Sequence, residues 1–199
     1  MTDRDPARPP TSSHHPTAGP GPSRRRVIAL AGGMGVVSLA GCLGALDGGG
    51  SAPEEPVDPA DDAACGVCKM KPAKFPGWNA QLVFGDGTRV HFCSPGCFVA
   101  FYADPGRFLE GRRQADISAA WVTDQASGDW TDAMAASFVL ETNADRIDAP
   151  MMKNPVPFAS GTDATAYVDQ YDDLGSADIV GIEAFDVALA KQYRGRFFE

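Results

Sequence analysis

Cys65-Gly66-Val67-Cys68-Lys69-Met70, followed by Cys93-Ser94-Pro95-Gly96-Cys97, frames the stretch that decides the fold. The two pairs, C-x2-C and C-x3-C, stand 24 residues apart. Between them Ala80, Leu82 and Phe84 alternate, Gly85-Asp86-Gly87 supplies a turn, and Val90 and Phe92 alternate on the return. That pattern predicts a β-hairpin bringing Cys93 back towards Cys65 and Cys68. Ser94-Pro95 is an N-cap followed by a first helical residue. Cys97, Phe98, Phe101 and Tyr102 then recur at helical spacing until Asp104-Pro105-Gly106 stops the helix. Cys93 and Cys97 therefore sit at a helix N-terminus, where the dipole favours thiolate, the form that binds metal.

Four thiolates in tetrahedral array suit structural Zn(II). Thiolate with thioether suits Cu(I), a soft ion. Met70 follows Cys68 by two residues, so in an extended segment both side chains point to one side. His91 shares a strand face with Cys93 and offers an imidazole; Met151 and Met152 lie in a Pro-bounded loop and offer two more thioethers. The bland alternatives are packing for the methionines, a surface position for His91, and disulfides for the cysteines, which four residues can form in three pairings.

Downstream, Ile117–Thr123 reads as a strand with Ser127-Gly128 as its turn. Trp130–Leu140 is ambiguous: its alanines allow helix, whereas Ser137-Phe138-Val139-Leu140 suits a strand. Val156–Ala159 is a short strand, and Ser160 caps a helix carrying Ala164, Tyr167, Val168 and Tyr171. Asp178–Ile182 reads as a strand and Glu183–Gln192 as a closing helix. The expected fold is α+β: two small β-hairpin-plus-helix units packed together, the first Cys-rich (64–112) and the second without cysteines (113–199). Trp121, Trp130 and Tyr171 are expected in the core. Asp124, Asp129 and Asp132 are expected on a solvated loop rather than an acidic docking rim.

The N-terminal region sets the compartment. Ser23-Arg24-Arg25-Arg26 precedes a 14-residue apolar run, Val27–Ala40, too short for a membrane span of about 20 residues. It fits a signal h-region. With Leu39-Ala40-Gly41-Cys42 at its end, it resembles a twin-arginine export signal closing in a lipobox. That resemblance implies removal of residues 1–41 and lipidation of Cys42, leaving the mature protein lipid-anchored on the outer face of the cytoplasmic membrane. The competing reading is a poor transmembrane anchor that stays uncut. Residues 42–63 hold Gly48-Gly49-Gly50, three prolines and, between Glu54 and Asp62, five acids, and read as a flexible tether reaching roughly 25 Å on average.

The chain carries 17 basic and 26 acidic residues, a net charge of −9. Five arginines and two aspartates lie in the first 41 residues, so the remainder is more acidic still. Nucleic acid is excluded as a partner, since phosphate contacts need Lys and Arg. The folded part, about 137 residues from Ala63 onward, suffices for one domain or two small packed units.

The cysteine segment together with Phe75-Pro76-Gly77-Trp78-Asn79-Ala80-Gln81, Gly87 and Phe92-Cys93-Ser94 resembles the NosL family, accessory proteins of nitrous oxide reductase. The similarity continues through Ala120–Asp124, Trp130–Ala133 and Met151–Ser160. The resemblance implies a membrane-anchored Cu(I) metallochaperone, not an enzyme, whose partners are nitrous oxide reductase and its copper-centre assembly machinery. The family's motif carries over onto Cys65, Cys68 and Met70. Two residues depart from it: Lys69 stands where the family commonly has Gly, and Cys97 is additional. With Cys93, Cys97 makes the first unit look like a TRASH-type metal module and keeps Zn(II) open as the alternative to Cu(I). The C-x-x-C pair lacks a thioredoxin-like βαβ setting, so thiol–disulfide exchange is not expected.

Overall fold

The structure is a computed structural model and describes residues 55–199. The expected leader 1–41, Cys42 and the tether up to residue 54 lie outside the described residues.

The described residues form two small antiparallel sheets with four α-helices. The first sheet contains β1 (Ala80–Phe84), β2 (Arg89–Phe92), β3 (Ile117–Thr123) and β4 (Trp130–Asp132), in the order β2-β1-β3-β4. The second contains β5 (Ser137–Val139), β6 (Val156–Phe158) and β7 (Ile179–Val180), in the order β6-β5-β7. The helices are α1 (Pro95–Ala103), α2 (Pro105–Phe108), α3 (Gly161–Val168) and α4 (Val187–Arg194). β1 takes β2 on one edge and β3 on the other, so strands on both sides of position 112 share a sheet.

The β1–β2 hairpin forms as its alternation predicts. Gly87 takes φ 84° in the turn, a region open to glycine, and Asp86 accepts from the Thr88 N–H at 3.0 Å. Ser94 caps α1 through the Cys97 N–H at 3.4 Å, and Pro95 fills the first helical position. Most of α1, Pro95 to Phe101, is buried, because the helix lies against the hairpin and also against α4. Phe92 meets Phe101 with ring centroids 5.2 Å apart, and Phe138 of β5 meets Phe185 at 4.8 Å. Both pairs belong to one apolar cluster, so both sheets contribute to the core that surrounds the cysteines.

One segment that the sequence left open takes a definite form, and two differ from expectation. Trp130–Leu140 resolves into β4 and β5, separated by a turn in which Asp132 accepts from the Met134 N–H at 2.8 Å. The closing helix begins at Val187 rather than Glu183, because Asp186 caps it by accepting from the Leu189 N–H at 2.8 Å. The last residues of the expected flexible tether are tied down. The Val57 N–H donates to Gln81 at 3.2 Å and its carbonyl accepts from Gln81 at 3.0 Å. Asp58 accepts from the Trp130 indole at 3.1 Å. The cause is the fully buried Gln81 side chain in β1, which needs polar partners that the passing backbone provides.

Asp124 is buried, accepting hydrogen bonds from Ser127 and from the Ala126 and Ala159 N–H groups. It organises the β3–β4 turn rather than lying on the solvated loop expected for it, whereas Asp129 and Asp132 are exposed.

Candidate metal centre

Three segments converge on one point. The first is the Cys65–Met70 turn, closed by Cys65 N–H to the Met70 carbonyl at 2.8 Å and Lys69 N–H to the Cys65 carbonyl at 3.2 Å. It docks beside β2 through the Gly66 N–H and the His91 carbonyl at 2.9 Å. A Cβ on Gly66 would lie 2.5 Å from Val90 Cγ1, so no larger residue fits between the two cysteines at this position. The second segment is the β2–α1 junction with Cys93 and Cys97. The third is the loop before β6 with Met151 and Met152.

The Sγ atoms of Cys65, Cys68, Cys93 and Cys97 all lie within 4.8 Å of one another. All four are free thiols. Cys68 and Cys93 are 3.3 Å apart, and Cys93 and Cys97 3.9 Å. A tetrahedral site with metal–sulfur bonds of 2.3 Å places its sulfurs about 3.8 Å apart. The four sulfurs are therefore already grouped closely enough for a thiophilic metal to gather them with shifts of about 1 Å or less. Met151 adds a thioether on the same side, its Sδ 3.7 Å from Cys97 Sγ.

The thiols share protons. Hydrogen bonds from Cys68, Cys93 and Cys97 hold Cys65 far below its ordinary range. Contact with Cys65, then Cys68, pushes Cys93 and Cys97 up. Cys68 falls to about 7; its contact with Cys65 opposes ionisation, and those with Cys93 and Cys97 outweigh it. The cluster thus behaves as one anionic acceptor surrounded by donors. Cys68 is its half-buried member, whereas the other three are buried.

The remaining expected ligands divide. Met70 is half-buried against the core that holds the cysteines. The extended geometry expected of Cys68–Met70 is absent, because Lys69 takes φ 65° and turns the chain. His91 does not join the group. β2 ends at Phe92 and the chain bends into α1, so the alternation linking His91 to Cys93 is broken. Burial, then the charge of Arg89, keep its imidazole below the usual range. Met152 is 67% exposed and borders an open cavity of about 360 Å³ that Met151 and Arg194 also line.

Sequence reasoning missed Arg194 and Asn154. Asn154 is fully buried; its Oδ1 accepts from the Gly96 N–H at 3.0 Å, and its Nδ2 donates to the carbonyls of Pro150 and Met152 at 2.9 and 3.0 Å. It pins the methionine loop to the start of α1. Arg194, also buried, donates from Nε to Cys97 Sγ at 3.3 Å. The only cue in the sequence is Gly96, where a Cβ would lie 2.6 Å from the guanidinium carbon.

Comparison with known proteins identifies the family and the fold. The NosL family model matches residues 56–176. No curated protein matches the chain. Among solved structures, the crystal structure of the copper chaperone NosL from Shewanella denitrificans is similar, with 19% identity and a TM-score of 0.54. The match covers 68% of this chain and 98% of that one, so the two share a fold. With more than half of its length matched by that family model, the chain belongs to the NosL family.

Proposed function

We propose that this protein is an extracytoplasmic Cu(I) metallochaperone, lipid-anchored through Cys42, that supplies copper for the copper centres of nitrous oxide reductase. The observation that carries the reading is the convergence of four free thiols with the Met151 thioether 3.7 Å from Cys97. Thiolate donors suit both Cu(I) and Zn(II), and it is the added neutral thioether sulfur that favours the softer Cu(I). Cys65, Cys68, Cys93 and Cys97 form the pool from which the ion takes its thiolates, and Met151 and Met70 supply neutral sulfur. Membership of the NosL family and the shared fold with a copper chaperone support this cargo.

Delivery goes by ligand exchange. The half-buried Cys68 is the member an incoming thiol reaches first, and the exposed Met152 marks the outer side of the methionine loop. Acceptor sulfurs then replace donor sulfurs one at a time, so the ion is never released to water. No catalytic step is assigned. The export route and the membrane anchor rest on Arg24-Arg25 and on Leu39-Ala40-Gly41-Cys42. Among the described residues no helix is long and apolar enough to cross a membrane. The reductase and its assembly machinery are proposed as partners on family membership, and nucleic acid is not, given the net charge of −9.

The test is anaerobic titration of the reduced, full-length chain with Cu(I) against a competing chelator, with Zn(II) in parallel. One tightly bound Cu(I) per chain, lost in Cys68→Ser, supports the reading; stoichiometric Cu(I) retained by Cys68→Ser overturns it. The near-tetrahedral sulfur spacing favours one rival, a structural Zn(II) site in a TRASH-like unit acting as a scaffold. Tight zinc with weak copper would establish that alternative.

A further inference from the structure

Arg194 is 2% exposed, yet it carries a permanent charge. A buried charge is costly unless it is paired and fully hydrogen-bonded. Its hydrogen bonds are made in full: Nη1 donates to the Lys153 and Tyr193 carbonyls at 2.9 and 2.7 Å, and Nη2 to Ser94 Oγ at 2.8 Å and Asn154 Oδ1 at 2.5 Å. Every one of these acceptors is a neutral oxygen. The ion pairs among the described residues involve Arg107, Arg112, Arg113 and Arg146, and Arg194 joins none of them. The one group it touches that can carry negative charge is Cys97 Sγ, 3.3 Å from Nε. The fold makes room for it, since any Cβ at residue 96 would collide with the guanidinium.

Both members of this contact lie outside the family motif. Arg194 falls beyond the matched span 56–176, and Cys97 is the additional cysteine. We propose that Arg194 is the built-in counter-cation of the sulfur centre: its guanidinium neutralises the excess negative charge of the metal-loaded thiolates through Cys97. The proposal rests on the reading of the cluster as a Cu(I) site. A monovalent ion held by two thiolates leaves a net charge of minus one, and a single fixed cation cancels it. Without that cation, loading would bury an unbalanced charge beneath α4. Arg194 is a positioning residue and needs no contact with the ion.

The experiment is a double-mutant cycle on the full-length, reduced chain, reading Cu(I) affinity by chelator competition at one fixed pH. Arg194→Gln is expected to weaken Cu(I) binding about 100-fold, the range found on removing one partner of a buried charge pair. Arg194→Lys, which keeps the charge, is expected to restore most of that loss. In a Cys97→Ser background, Arg194→Gln is expected to cost little further, because the coupled partner is gone. An equal loss with or without Cys97, or a Lys variant as weak as the Gln variant, would show a merely structural role and overturn the proposal. Wild-type affinity in Arg194→Gln would overturn it while leaving the copper reading intact. Absence of Cu(I) binding by the unaltered chain would sink both. Thermal melting of each metal-free variant separates affinity lost through unfolding from affinity lost through charge.

Discussion

Lys69 takes φ 65°, a left-handed conformation that a side chain with a Cβ adopts at a cost. It is exposed, and among the described residues its side chain bonds from Nζ to the Gly66 carbonyl at 3.2 Å. Lys69→Gly removes the strain and returns part of the gain as unfolded-chain entropy, for a net stabilisation of about 1 kcal/mol, or about 3 °C in Tm. A melting curve checks this, and an unchanged or lower Tm would refute it. At the same scale, Cys68 is lowered to about 7 from the usual thiol value of 9.0. Thiolate is the reactive form, so alkylation of metal-free Cys68 should rise with pH to a midpoint near 7 and level off above it. Peptide mapping after iodoacetamide pulses reads this midpoint directly; a midpoint near 9 would show an unperturbed thiol. The four cysteines were legible in the sequence because their spacing and the intervening alternation place them. Arg194 was not: an arginine ending an amphipathic helix ordinarily faces water. Its burial depends on a glycine almost a hundred positions away.

At the scale of elements, the hairpin and α1 were legible down to their bounds, because alternation, a Gly-rich turn and a Ser-Pro cap agree over that stretch. Trp130–Leu140 was not, because β4 and β5 are three residues each, and β5 takes its partners, β6 and β7, from well downstream in the chain. Such short strands take their identity from tertiary partners rather than local propensity. The second sheet is held to α3 by a buried carboxylate. Glu141, 1% exposed, accepts from the Tyr167 hydroxyl at 3.1 Å, the Arg146 guanidinium at 3.3 Å and the Asn143 N–H at 2.6 Å. Glu141→Ala leaves Arg146 and the Tyr167 hydroxyl without this partner and should cost about 3 kcal/mol. Glu141→Gln keeps most of the shape and should cost less. Urea unfolding of both variants gives the comparison, and a Glu141→Ala loss below about 1 kcal/mol would mean the network is solvated in solution.

For the whole molecule, the decisive question is whether metal makes the fold or the fold makes the metal site. The cysteines are embedded in a core that does not need them: Phe84, Phe92, Phe98, Phe101, Phe138 and Phe185 are buried, drawn from both sheets, from α1 and from the segment before α4. Each such side chain contributes about 1.5–3 kcal/mol by leaving water, and the aromatic pairs add to this. A zinc knuckle without such a core unfolds when its metal is removed. This chain should instead stay folded after chelation, keeping its near-ultraviolet aromatic signal and a cooperative melt. Metal binding then acts as ordinary ligand linkage, and Cu(I) at a hundred times its dissociation constant should add about 2.7 kcal/mol. A site that is already formed can take up its ion again without refolding the chain first. Calorimetry of the chelated and Cu(I)-loaded protein decides it. Two cooperative transitions separated by several degrees fit a pre-formed site that hands on its cargo. Loss of the transition on chelation would make the four cysteines a staple of the fold and return the centre to zinc.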